Sequence, residues 1–236
     1  MSEYLSDAEQ LDRAKQWMKQ YGNLALSAVL VAMIGFFGWN YWQKTKDTQN
    51  VALSAQYQGV TDAAQTVLTT PTDTGAHSQF MAKSQALIKE HPESAYALQT
   101  ALLQARLAVE RNDLTGAAKA LQAAAASKVD DPGLIQLALL RLARVQSAQK
   151  QNDAALATLA KVTLPAYAAS VGELKGDILS QKGDRKGAQE AYAKAWEVLT
   201  AREEPRPLLQ NKMEGLGMTV KEIKTPNPVK APEGGI

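Results

Sequence analysis

Apolar residues recur every three to four positions along most of this chain, which is the spacing of one buried stripe on an α-helix. One stretch departs from that rhythm by being apolar all round. Residues 24–42 read LALSAVLVAMIGFFGWNYW, nineteen residues without a charge. A helix rising about 1.5 Å per residue matches at that length the roughly 30 Å of a bilayer's hydrocarbon. Its Leu, Ile, Val and Phe residues each favour insertion by about 0.3 to 0.6 kcal/mol, and no ionised side chain opposes them. The pattern predicts a single transmembrane helix. Trp17 and Tyr21 precede it and Trp39, Tyr41 and Trp42 close it, amphipathic rings of the kind that prefers the headgroup level.

Two other readings compete with a membrane anchor. A cleaved signal peptide would need a shorter apolar run and small residues at the cleavage site, where this chain has the bulky Trp39, Tyr41 and Trp42. A buried helix of a soluble core would lack the aromatic flanks and the basic residues beyond both ends. Arg13, Lys15 and Lys19 precede the span and Lys44 and Lys46 follow it, so the positive-inside rule leans, by one charge, towards a cytoplasmic segment 1–23. Within the span Ala25, Ala28, Ala32 and Gly35 share one face of small residues against which another membrane helix can pack. Small residues are also common in membrane helices that make no such contact.

Beyond the span the helical rhythm returns. Leu53, Tyr57, Val60, Ala64, Val67 and Leu68 predict an amphipathic helix, and 69–78, with Pro71, Asp73 and Gly75, reads as a loop. A second helix places Phe80, Met81, Ser84, Leu87 and Ile88 on one face and ends at HPES, 91–94. From 96 to 199 the chain is Ala- and Leu-rich, without strand-like alternation, and repeats itself from Ala101, from Leu137 and from Ser170. Equivalent alanines Ala117, Ala155 and Ala188 lie 38 and 33 residues apart, near the roughly 34 of a tetratricopeptide (TPR) helix-turn-helix unit. The expectation is an all-α chain: a membrane helix at 24–42, a TPR-like array of helical hairpins over 43–218, and a disordered Pro- and Lys-containing tail at 219–236.

The register gives small residues a packing role. Ala105, Ala143 and Gly176 in the first helix of each unit answer Ala117, Ala155 and Ala188 in the second, where two backbones must approach closely. Leu121, Leu159 and Tyr192 follow on the same stripe, then Ala124, Val162 and Ala195. Asn112-Asp113, Asn152-Asp153 and Gly183-Asp184 predict turns, each with a residue tolerant of left-handed backbone before a capping aspartate. Pro132-Gly133 and Pro165 are expected to break helices between units, and EEPRP at 203–207 to precede a short capping helix at 208–216.

Composition narrows the chemistry. In 236 residues there is no cysteine and the net charge is only +2, with both signs interspersed. Thiolate chemistry and disulfides are excluded, and no concentrated positive field exists for nucleic acid. The two histidines, His77 and His91, fall in expected loops without metal-ligand spacing. Neither a phosphate-binding glycine loop nor a nucleophile elbow occurs. No catalytic, cofactor-binding or metal-binding residue is assigned, and the reading is a binding protein, with partner proteins and membrane lipid as its contacts.

The whole resembles the YfgM-type ancillary subunit family of the bacterial SecYEG translocon, over nearly all of the chain except the tail. The resemblance is carried by the charged N-terminal helix, by Gly38-Trp39-Asn40-Tyr41-Trp42, by RLARVQ at 141–146, DAALATL at 153–159 and LSQKGDRKGA at 179–188. It implies a non-enzymatic inner-membrane protein, cytoplasmic at its N-terminus and periplasmic in its repeats. It also implies work beside SecYEG with a PpiD-type membrane-anchored chaperone on newly exported, still unfolded proteins, and an association with envelope stress regulation. A scaffold for cell-wall or outer-membrane assembly is the rival reading, since a tethered TPR array suits it equally.

Overall fold

The computed structural model describes residues 7–221 and 223, and within the first helix the side chains of 11, 15, 17–21, 32–37, 39–41 and 50 onwards. The described residues form α-helices and one 3-10 turn, with no strand. They run as α1 Asp7–Thr69, α2 Thr74–Glu90, α3 Ala95–Glu110, α4 Leu114–Ala125, α5 Pro132–Ala148, α6 Asn152–Leu159, the 3-10 turn Pro165–Tyr167, α7 Ala168–Gln181, α8 Arg185–Ala201 and α9 Pro207–Gly215. The chain divides into two units, 1–55 and 56–236.

The first unit holds α1 up to residue 55, helical from Asp7 onward. Where its side chains are described at 32–41, Met33, Ile34, Phe36, Phe37, Trp39 and Tyr41 are all exposed. These positions point in several directions around the helix, so the apolar surface has no buried side. Phe36 and Phe37 meet edge to face at 5.8 Å, and Trp17 and Tyr21, one turn from each other, lie 6.1 Å apart ring to ring. Among the described residues no helix is long and apolar enough to cross a membrane. The side chains of 24–31, 38 and 42, which belong to the expected span, lie outside the described residues.

The second unit is the hairpin array. Five of its helices, α2 to α5 and α8, begin where short polar side chains satisfy free N–H groups. Asp73 accepts from the Gly75 and Ala76 amides at 2.8 and 3.1 Å, Ser94 from Ala97 at 3.1 Å, Asp113 from Gly116 at 2.8 Å, Asp131 from Leu134 at 2.9 Å and Asp184 from Gly187 at 2.9 Å. Asn112 and Gly183 adopt the left-handed backbone expected of them, at φ 60° and 81°. The middle turn differs. There Lys150 takes the left-handed conformation, φ 64°, Gln151 stands at the N-cap without a side-chain bond, and Asn152 and Asp153 already lie within α6. The cap precedes the small crossing residue by four positions in every unit, so Ala155 places it at 151; Asn152-Asp153 lies one step too late.

Other boundaries also shift. The loop expected at 69–78 closes by Asp73, because Asp73 caps α2 and draws 74–78 into it. Pro132 and Gly133 begin α5 instead of breaking a helix, since a proline at the first position sacrifices no helical hydrogen bond. Helix α6 ends at Leu159, so Val162 reaches the core from a turn. The Gln136 side chain of α5 holds that turn, accepting from the Thr163 and Leu164 amides at 2.8 and 2.7 Å.

Burial follows the repeat. Phe80, Leu87 and Val60 seal the first hairpin, made by the end of α1 with α2. Three clusters then succeed one another: Leu98, Leu121 and Leu142 between α3, α4 and α5; Leu140, Leu159 and Ile178 between α5, α6 and α7; and Tyr192, Leu199, Leu209 and Met213 between α8 and α9. Each unit buries its apolar face against its neighbours, which is how a solenoid builds a core. The last cluster does not end at 218. Ile223, 9% exposed, joins it with Met218 and Val220 packed alongside, so the start of the expected tail belongs to the array. The remainder of that tail, 224–236, lies outside the described residues.

Candidate functional site

The residues expected at helix crossings are all interior. Ala105, Ala117, Ala143, Ala155 and Ala188 are buried to 2% exposure or less, and Gly176 is buried too. A Cβ at Gly176 would stand 2.3 Å from the Tyr192 ring, and one at Gly172 would stand 2.9 Å from the Ala195 Cβ. Gly176 therefore faces Tyr192 directly, and Gly172, which sequence reading missed, makes a second close approach one turn earlier. Of the residues expected in the membrane, Trp17, Tyr21, Ala32, Gly35, Trp39 and Tyr41 are exposed. The side chains of Ala25, Ala28 and Trp42 lie outside the described residues.

Tyr192 leads into a half-buried charge network. Its hydroxyl donates to Asp177 at 2.7 Å; Lys212 donates to the carboxylates of Asp177 and Glu173 at 2.9 Å each; Arg206 donates to Glu173 at 3.0 Å. Burial pushes the Glu173 carboxyl up, but Lys212 and then Arg206 outweigh it and hold it below the ordinary value. Burial pushes the Lys212 ammonium down, and Asp177 and Glu173 outweigh that in turn, raising it. The Tyr192 phenol is raised strongly, by burial first and then by the Asp177 carboxylate. In the repeat register Glu173 replaces Leu102 and Leu140, and Asp177 replaces Arg106 and Arg144. The network thus fastens α9, the last helix among the described residues, to α7, with every charge paired.

Where α9 has no counterpart, the same register positions line an open groove. The end of α1, α3, α4 and α5 enclose two adjoining cavities of about 370 Å³ each, sharing Leu102, Arg106 and Arg141. Arg144 and the exposed Val109 extend the lining, and Glu110 is its carboxylate. An apolar floor with three guanidiniums suits recognition of carboxylates and backbone carbonyls on a partner chain. Sequence reading did not find this groove, because its residues come from four helices, α4 adding Leu114 and Leu121. Comparing equivalent positions across the repeats reveals Arg106 and Arg144, but not that Arg141 joins them.

The histidines do not come together. His77 lies in α2, not a loop, with Nδ1 buried and unbonded; burial and then Arg111 lower its pKa. His91 caps the end of α2 through its backbone amide, 2.9 Å from the Leu87 carbonyl. Among the described residues no group of His, Asp and Glu is placed to hold a metal ion.

Stacked helix-turn-helix units with small residues at each crossing define a tetratricopeptide repeat-like protein, and the family model for the tetratricopeptide repeat-like domain matches residues 15–218. The chain belongs to the ancillary SecYEG translocon subunit family. It is 31% identical over 204 residues to the ancillary SecYEG translocon subunit of Aggregatibacter actinomycetemcomitans, covering 86% of this chain and 95% of the relative. It is 30% identical to that of Escherichia coli strain K12, covering 81% and 88%, and 29% identical to that of Haemophilus influenzae, covering 83% and 91%. No solved structure matches. The family is one of repeat-containing subunits, not of enzymes.

Proposed function

We propose that this chain is an accessory subunit of the SecYEG translocon, anchored in the bacterial inner membrane by residues 24–42, with 1–23 in the cytoplasm and the hairpin array in the periplasm. The observation that carries this reading is the reach of the family match, which starts at residue 15 and so takes in the apolar run together with the repeats. The exposed, all-round apolar side chains at 32–41 fit a lipid surrounding. Action is by binding. The anchor confines the array to the neighbourhood of the channel, so an encounter with a PpiD-type chaperone or an emerging unfolded chain becomes a short-range event at an effective concentration of order millimolar. The arginine groove is the surface offered to such partners.

Photocrosslinking residues placed at Arg106 and Arg144, in cells, are expected to capture translocon subunits or the co-anchored chaperone. Capture of cell-wall or outer-membrane assembly proteins instead defeats the proposal in favour of an envelope scaffold. A reporter joined after Ile236 tests the topology, and activity of a cytoplasm-only reporter there rejects the orientation.

A further inference from the structure

A second groove lies on the opposite side of α3. Leu102, Leu103 and Arg106 face the arginine groove, whereas Ala97, Ala101, Gln104 and Ala108, about half a turn away around the same helix, form the floor of a cavity of about 590 Å³. Its walls are α2, through Met81, Gln85 and Ile88, and α4, through Ala120, Ala123 and Ala124. The volume lies within the roughly 300 to 1,000 Å³ of ordinary binding pockets.

Its rim is mostly basic, with Lys89, Arg111 and Lys119 against Asp113. His77 and Lys89 stand at the two ends of the α2 wall, Arg111 at the end of the floor and Lys119 on the α4 wall. The lining's carboxylate, Asp113, is committed to the Gly116 amide at 2.8 Å. Among the described residues, the side chains of Lys89, Arg111 and Lys119 make no ion pair. His77 and Lys89 are twelve residues apart on one helix, about 18 Å along its axis, so the trough has room for about three helical turns of an occupant. An occupant that satisfies floor and rim together is elongated, apolar on one side and acidic along its edges.

We infer that this outer groove is a docking site for an acidic amphipathic helix of a partner protein, separate from the arginine groove and able to be filled at the same time. The occupant would lie along the trough between α2 and α4, placing apolar side chains at i, i+3/i+4 and i+7 on the alanine floor and carboxylates towards Lys89, Arg111 and Lys119. The inference depends on the groove alone and not on which membrane complex the chain attends.

The test uses the full-length chain in detergent and two labelled synthetic helices of about four turns, identical in their leucine face and carrying either Glu or Lys along its edges. The Glu helix is expected to bind at least about tenfold more tightly, and less so as salt rises. The joint reversal Lys89→Glu, Arg111→Glu, Lys119→Glu should abolish that preference, and Ala123→Trp, at an exposed wall position, should block both peptides. Reversal of Lys161, Lys186 and Lys194, exposed bases that line neither groove, should leave the preference unchanged. Equal binding of the two helices, a preference that survives the reversal of Lys89, Arg111 and Lys119, or the same loss from the distant reversal overturns the inference. So does self-association of the chain that Ala123→Trp removes, since a second copy would then be the occupant.

Discussion

Gly176 shows how a single atom can decide a helix pair. Most interior glycines in helices are replaced by alanine with a gain, because glycine loses more backbone freedom on folding. At 176 the added methyl would meet the Tyr192 ring at 2.3 Å, and that ring is tied through its hydroxyl to Asp177. Gly176→Ala is therefore expected to destabilise the array by about 1 to 3 kcal/mol in urea melts, as overpacking does. Gly59→Ala, where the nearest atom is the Lys83 ammonium at 3.9 Å, is expected to stabilise by about 0.5 to 1 kcal/mol. The opposite signs are the check. Ala155, fully buried, behaves like Gly176, and Ala155→Leu should cost about 1 to 3 kcal/mol. Lys150 holds a left-handed backbone at φ 64°; Lys150→Gly should relieve that strain for a net gain of about 0.5 to 1 kcal/mol. Equal losses at 150 and 155 would reject the register.

At the scale of the element, α9 depends on charge where the earlier units depend on leucine. The pH range of its docking follows from the shifts of its partners. Glu173 is held below its ordinary value of 4.5, so its contribution is present above that value and is lost as pH falls through the folded one. Lys212 and Tyr192 are raised above 10.5 and 10.0, so their contributions are complete below those values and are lost as pH climbs beyond them. Amide exchange in α9 is expected to be slow across the interval between and to accelerate at both edges, sooner than in α4. Glu173→Gln should remove most of the acid limb and weaken the alkaline one, which then rests on Asp177. An unchanged acid limb would show that α9 is held by Leu209 and Met213 alone.

Among the described residues, stability is passed from one hairpin to the next through successive clusters, so damage should remain local. Ile223→Ala is expected to cost about 2 kcal/mol, near the lower end for a buried isoleucine. Exchange should rise in α8 and α9 and stay unchanged in α3 and α4; uniform acceleration along the chain would mean one cooperative core. The two grooves lie on opposite faces of α3, so on the proposed reading the array can hold two partners at once.

Much of this was legible without coordinates, because helical periodicity, a charge-free apolar run and a repeat near 34 residues are properties of neighbours along the chain. The sequence by itself determined the all-α class, the hairpin repeat, the small residues at 105, 117, 143, 155, 176 and 188, and the capping aspartates Asp113 and Asp184. It did not reveal the shortened α6, the return of Ile223 to the core, the pairing of Gly176 with Tyr192 or either groove. Each of those joins residues 15 or more positions apart, or depends on where one helix leaves room beside another. Distances of that kind are set by packing between elements, and only the tertiary structure decided them.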